Sequence, residues 1–389
     1  MVSEKERIKN ELNAKKEAFI RILRSLRKQI YEGIPKNDSY FLYFEETNLD
    51  GVPYYMPFVI LPTRPCSWLR KSGGCFECGY SNLSNKDITD DEILKLFDKC
   101  LRFLKNIPHK MVAIGTSGSF LDPQELSENA QNEILRKISS LPGIEIIGIE
   151  SRPEFITSKR VSEISEIVYP KRIMLGMGLE TSNDLIREYC INKGLTTTSY
   201  LKALKIIKRY DNISPLAYVL LGKPFLPKSI DIADTISSIN FAVTQGFDRV
   251  VMMATSLRDN TLTKLLYEAG EYIPPSPRMI IEVLKQLKPE IRSKVIIADP
   301  RLPKPIPVNH CPICSMLLEQ LIILYKTTNN YNYINLADEI DLNCRCKENI
   351  EDIVEDAIMQ KYDETLLSQL ILKSYKEILE KIGGVGEDG

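Results

Sequence analysis

From Pro57 onward, short runs of β-branched and aliphatic residues alternate with amphipathic stretches of roughly ten to twenty residues. Six of the runs read as strands: Phe58 to Leu61, Met111 to Gly115, Ile144 to Glu150, Arg172 to Glu180, Leu216 to Gly222 and Arg249 to Ala254. The stretches between them read as helices. One opens on Thr89-Asp90-Asp91-Glu92, a capping box that satisfies two backbone donors at a helix start, and another runs from near Ser182 toward Lys193. This repetition predicts an α/β fold of parallel strands joined by right-handed crossovers. Six units give a partial (β/α)6 TIM-like barrel, with functional side chains just beyond the strand C-termini. A doubly wound open sheet shares the same periodicity.

The flanks have a different character. The first fifty residues read as a helical extension, in which Lys15, Lys16, Arg21, Arg24, Arg27 and Lys28 share a pattern with Phe19, Ile20, Leu23 and Leu26. That stretch is either a solvated helix lying on the main domain or a local RNA-binding patch. After Ala298, the proline-rich run from Asp299 to Pro307 reads as an extended connector, and helical patterns return from Asn349 to Ile382. The expected organisation is an N-terminal helical extension at 1–50, a barrel at 51–298 and a C-terminal metal site with a helical tail at 299–389.

Charge narrows the function classes. Lys and Arg number 51 and Asp and Glu 52, so the chain as a whole lacks the strongly basic signature of many nucleic-acid binders. Any RNA contact must be local. No apolar run approaches the roughly 20 residues needed to cross a bilayer. The start, MVSEKERIKNELNAKKEAF, has no apolar secretion segment. The expectation is a cytoplasmic protein with no membrane contact.

Seven of the nine cysteines fall into two groups: Cys66, Cys75 and Cys78, then Cys311, Cys314, Cys344 and Cys346. In a reducing compartment such clustering points to metal rather than disulfides. Cys100 and Cys190 lie in helical patterns and read as small apolar core residues. The first group sits on one loop after the first strand. Three thiolates leave one metal position open, whereas a structural zinc site would want a fourth protein ligand. The second group supplies four thiolates, enough to close a tetrahedral site. Zinc is the default there and an auxiliary iron-sulfur cluster the alternative, with His310 a neighbour.

The Cys-x8-Cys-x2-Cys loop after a first strand resembles the radical S-adenosylmethionine superfamily. That superfamily usually has an aromatic residue before its third cysteine; here Glu77 stands there, Phe76 is one place earlier, and Tyr80 is expected to help cover the site. The resemblance implies a 4Fe-4S cluster on Cys66, Cys75 and Cys78, with S-adenosylmethionine on the open iron and reductive cleavage to methionine and a 5'-deoxyadenosyl radical. It implies cofactor contacts at four further places. The glycine-rich turn of Gly115, Ser117, Gly118 and Ser119 would receive the methionine amino group. Glu150, in Glu150-Ser151-Arg152-Pro153-Glu154, Glu180 toward the ribose, and Gly222 toward the adenine would complete the set. The turn lacks the superfamily's acidic member, so Ser117 or Ser119 would substitute. Each motif alone is also an ordinary turn or helix cap.

The cysteine loop with Trp68 and Gly79-Tyr80, the turn ending in Phe120-Leu121-Asp122, the Glu150 motif and the late cysteine pairs are together similar to the archaeal radical subunits of archaeosine synthase, over about Asp38 to Ile353. The barrel half also resembles the radical domain of the Elongator catalytic subunit. The resemblance implies a carbon-nitrogen lyase acting on a lysine-adducted 7-deazaguanine base in the tRNA D-loop. Its implied partners are tRNA, a separate lysine-transferring subunit and a reductant protein. The alternatives are a radical enzyme for another RNA base or a metabolite, and a zinc-stabilised RNA-binding scaffold. Arg64, Arg70, Lys223 and Arg258 are candidate anion contacts or ordinary surface charges.

Overall fold

The structure is a computed structural model that describes residues 3–32, 39–49, 52–107, 109–298, 311–342 and 363–382. Among these, eight strands form one sheet in chain order: β1 (Phe41–Leu49), β2 (Val52–Ile60), β3 (Met111–Gly115), β4 (Ile146–Glu150), β5 (Arg172–Glu180), β6 (Ile213–Leu221), β7 (Arg249–Ala254) and β8 (Val295–Ile297). β1 and β2 pair antiparallel, and every later pair is parallel. The sheet curls into a nearly closed barrel. The six strands read from the sequence are all present as β2 to β7.

Two edge strands escaped the sequence reading. β1 lies in the segment expected to be helical and pairs along its whole length with β2, so the hairpin straddles the boundary placed at residue 50. β8 has only three residues, too few for any period to register.

Side chains on the outer face of the sheet, including Val59, Val112, Ile114, Ile147, Ile149, Leu175, Val219 and Val250, join the surrounding helices in one apolar core. Their removal from water is the main force holding strands to helices. Inward-facing Phe58, Ile60 and Ala113 form a separate small cluster. Beside them the inner face carries Gly115, Gly148, Gly176, Glu150 and Tyr218.

The Glu4–Leu26 helix starts at Ser3, whose side chain accepts from the Glu6 N–H. It buries Leu12, Phe19, Ile20 and Leu23, and packs against the Glu364–Ile382 helix. The RNA-patch reading of this helix does not hold for two of its cations. Lys16 is buried in an ion pair with Glu188 at 2.5 Å, and Arg27 is only 1% exposed. Phe19, Phe225 and Tyr375 meet with ring centroids 4.7 to 5.0 Å apart, with Phe76 of the cysteine loop alongside. On the opposite flank, the Pro312–Thr328 helix docks on the hairpin through Lys326–Glu45 and through Asn48, which donates to the Thr327 carbonyl at 2.8 Å. Among the described residues no helix is long and apolar enough to cross a membrane.

Candidate metal centre

The loop after β2 is shaped by its own turns. Cys66 caps the short Ser67–Ser72 helix, Gly73 ends it in the left-handed region, and the Cys78 N–H donates to the Cys75 carbonyl at 3.4 Å. Cys75 is buried, and Cys66 and Cys78 are half-buried. Burial pushes the Cys66 thiol up to about 12 and raises those of Cys75 and Cys78 as well. Cys78 is within electrostatic reach of both Cys66 and Cys75. Among the described residues, no three Cys, His, Asp or Glu side chains are gathered around a single-ion site.

Arg27 holds this loop from outside the barrel. Its guanidinium donates to the carbonyls of Gly73 at 2.5 Å, Cys75 at 3.0 Å, Cys78 at 2.7 Å and Asn260 at 2.9 Å. Gly74 has φ of +87°, and a Cβ there would lie 2.5 Å from Arg27 Nη1. Only glycine fits both the backbone and the clamp. From the barrel side, Asn192 donates to the Gly74 carbonyl at 2.8 Å, while Trp68 donates through Nε1 to the Asn192 carbonyl at 2.6 Å. Arg152 lies over the Trp68 ring at 5.2 Å and donates to the Lys193 carbonyl at 3.0 Å.

Asn192 and Lys193 reach the site because the helix expected from Ser182 to Lys193 is not regular. It begins as Asp184–Ile186 and widens into a π turn at Arg187–Ile191. Buried Arg187 bonds the carbonyls of Leu179 and Thr181, which sequence periodicity does not reveal.

Four carboxyls line this region, Glu125 and Glu180 buried and Glu77 and Glu150 half-buried. Glu180 ends β5 with a φ of +61°, an uncommon conformation for a side-chain-bearing residue, and accepts from Lys193 Nζ at 2.7 Å. Burial opposes the Lys193 ammonium, but Glu180 and Cys75 more than offset it and raise its pKa well above the ordinary value. Glu77 has an unpartnered buried oxygen, and burial with Glu180 beside it raises its carboxyl to about 8. Glu150 accepts from the Tyr218 hydroxyl at 2.5 Å, and burial raises its pKa against that bond.

Glu125 is the fourth, and sequence reading missed it. It accepts from the Ser119 N–H at 2.9 Å through one oxygen, and the other is buried without a partner. Burial raises its pKa well above the ordinary value, helped by Asp122. Gly118 lies against both Glu125 and Cys66: its Cβ would fall 2.5 Å from a Glu125 oxygen and 2.8 Å from the Cys66 Cβ. A turn without an acidic residue of its own thus has a buried carboxyl beside it, from six residues beyond Ser119. The serines have other partners. Ser117 Oγ accepts from the Thr63 N–H at 3.1 Å, and Ser119 Oγ from the Arg152 N–H at 3.2 Å.

Other expected contacts are placed differently. The Gly222 N–H donates to Asp231 at 2.6 Å, and its carbonyl accepts from Tyr272 and Thr255. Its backbone edge is thus already used and is not free to pair with an adenine. Lys223 is buried between Asp231 at 2.7 Å and Asp234 at 3.3 Å, which removes it as an anion contact. Arg64 pairs with Asp90 at 2.8 Å, and Arg70 donates to Gln124 at 2.6 Å. Arg258 is exposed beside Gly79 and donates to Ser256 at 3.1 Å. Cys100 and Cys190 are fully buried. Of the second cysteine group, Cys311 and Cys314 open the Pro312–Thr328 helix, whereas Cys344 and Cys346 lie outside the described residues.

No protein-family model matches the chain. It is 32% identical over 314 residues to archaeosine synthase subunit beta of Methanosarcina acetivorans, an alignment spanning 79% of this chain and 87% of that protein. The chain belongs to the archaeosine synthase subunit beta family. A second family member, from Thermococcus kodakarensis, is 31% identical over 319 residues, covering 81% of this chain and 96% of its own. Among solved structures, methylornithine synthase superposes with a TM-score of 0.45 at 15% identity, covering 76% of this chain and 75% of that one. Elp3 of Methanocaldococcus infernus does so with a TM-score of 0.41 at 15% identity, over 74% and 64% respectively.

Proposed function

We infer that this chain is a radical S-adenosylmethionine enzyme of tRNA modification that cleaves a lysine-adducted 7-deazaguanine base to form archaeosine. The observation that carries the reading is three thiols on one clamped loop at the barrel mouth, with a buried Glu125 oxygen that has no partner next to Cys66. The donor set fits a 4Fe-4S cluster: three soft thiolates, one fewer than the irons. Such a cluster, when loaded with S-adenosylmethionine on its open iron, supplies the electron that cleaves the sulfonium and generates a carbon radical.

The chain's own residues bind and orient. Cys66, Cys75 and Cys78 ligate, and Arg27 and Asn192 fix the loop that carries them. Glu125, below Gly115, Ser117, Gly118 and Ser119, accepts the methionine ammonium. Glu180, oriented by Lys193, accepts from the ribose, and Gly222 shapes the adenine end of the cavity. The bond between the lysine side-chain carbon and the amidine nitrogen would break, the nitrogen staying on the base as the formamidine of archaeosine and the carbon leaving with the lysine-derived fragment. A separate lysine-transferring subunit supplies the substrate and a reductant protein the electron. Zinc on Cys311, Cys314, Cys344 and Cys346 would complete a four-thiolate site, the last two lying outside the described residues.

Anaerobic purification tests the reading. A brown protein with iron and sulfide that cleaves S-adenosylmethionine under reductant supports the enzyme; a colourless, zinc-only protein supports a scaffold. Mass spectrometry of tRNA nucleosides after gene deletion tests the substrate, with the lysine-adducted base expected to accumulate.

A further inference from the structure

One wall of the lumen carries side chains that cofactor binding leaves unused. Tyr43 of β1 and Phe58 of β2 are register partners, and their rings stack 5.2 Å apart with planes 10° from parallel. The Tyr218 ring reaches over Gly176, where a Cβ would lie 2.5 Å from it, and its hydroxyl bonds Glu150. Tyr80, in the turn directly after Cys78, is within electrostatic reach of Glu150, Cys78 and Tyr43. Tyr43 and Tyr80 are each 40% exposed, so their rings are not packed away. The result is an aromatic wall beside the third cysteine with two carboxylates in reach, Glu45, which is already paired with Lys326, and Glu150.

We propose that this wall is a subsite for a single unpaired guanine-type base, with its ring against Tyr43 and Tyr80 and its N–H edge on Glu150. Aromatic faces stack on any base and do not select among them. Glu150 selects. An ionised carboxylate only accepts, so it favours an edge with adjacent donors. The ring N–H and exocyclic amino group of guanine-type bases present two side by side. The other bases present a donor next to an acceptor, which a carboxylate repels. The base must leave its stack to enter the lumen, which suits a loop position. The inference rests on the proposed function for its RNA substrate and deepens it by moving Glu150 from cofactor to substrate.

The test uses the full chain with its cluster reconstituted anaerobically, and three labelled D-arm RNA hairpins that differ at one loop position: guanine, inosine or an abasic site. Fluorescence anisotropy is expected to show guanine binding about ten-fold tighter than inosine, which lacks the exocyclic amine, and tighter still than the abasic hairpin. Glu150→Gln should bring the guanine-to-inosine ratio close to one. Tyr43→Ala should erase the advantage over the abasic hairpin, and Tyr43→Phe, which keeps a ring, should restore it. Equal or undetectable binding of all three RNAs by the wild type, or an unchanged ratio in Glu150→Gln, overturns the subsite. Wild-type cleavage of S-adenosylmethionine is measured alongside. Cleavage with a flat base series sinks the subsite alone, whereas base preference without cleavage sinks the radical reading and leaves the subsite standing.

Discussion

Arg27 and Cys78 stand 51 positions apart, yet the guanidinium donates to the cysteine carbonyl at 2.7 Å. The same nitrogen also serves Cys75, at 3.0 Å. A cation spread over a planar fork can hold several carbonyls at once, which an ammonium cannot. Arg27→Gln is therefore expected to cost about 3 kcal/mol of stability and to lower iron bound per chain, without rescue by Arg27→Lys. Thermal unfolding and an iron assay check both; full iron retention in Arg27→Gln would show that the loop holds itself.

Glu125 is expected to act on the cofactor and not on the cluster. Glu125→Gln removes the charge while keeping an acceptor for the Ser119 N–H. Affinity for S-adenosylmethionine should fall about ten-fold, as for the loss of one buried charge-assisted bond, with iron and sulfide content unchanged. Equilibrium dialysis of the reconstituted protein measures this. An unaltered affinity would remove Glu125 from the site.

Gly194 has φ of +64°, and a Cβ there would lie 2.0 Å from the Trp68 ring. Gly194→Ala must displace that indole and break its bond to the Asn192 carbonyl. A loss of about 2 kcal/mol is expected. Trp68 is the chain's single tryptophan, so its emission should shift to the red as the ring meets water.

Glu150 provides a pH test. Burial raises its carboxyl pKa in the folded chain, so the folded state binds the proton more tightly than the unfolded state does. Its contribution is complete below the ordinary carboxyl pKa and is lost as pH rises through the folded value. Glu150→Gln should consequently raise the melting temperature of the ligand-free chain at pH 8, and the gain should shrink as pH falls toward 4. A gain that is the same at every pH would show that ionisation of Glu150 plays no part.

Metal analysis separates the two cysteine groups. The pair Cys311→Ser and Cys314→Ser is expected to remove zinc and leave the iron of the reconstituted protein in place. Zinc content equal to that of the wild type would exclude these residues as ligands.

The strands most legible in the sequence were those covered on their outer face by helices. β3, β5 and β7 span the residues that their apolar runs suggest. β1 was not legible because Phe41, Tyr43 and Phe44 stay exposed and Glu45-Glu46 interrupts the alternation. The cysteine loop could be singled out because its spacing is local. Arg27 and Glu125 could not, since each acquires its role only through tertiary contact. Arg27 looked like one more cation on a solvated helix. Glu125 follows Asp122-Pro123-Gln124, just past the glycine-rich turn, and that proximity was the one signal available.

The aromatic contact between Phe19 and Tyr375 gives the metal loop a remote support. The helix that delivers Arg27 rests in part on the Glu364–Ile382 helix, which touches none of the three loop cysteines through a hydrogen bond of its own. Damage to that distant packing is therefore expected to register as lost iron, with every ligand still in place.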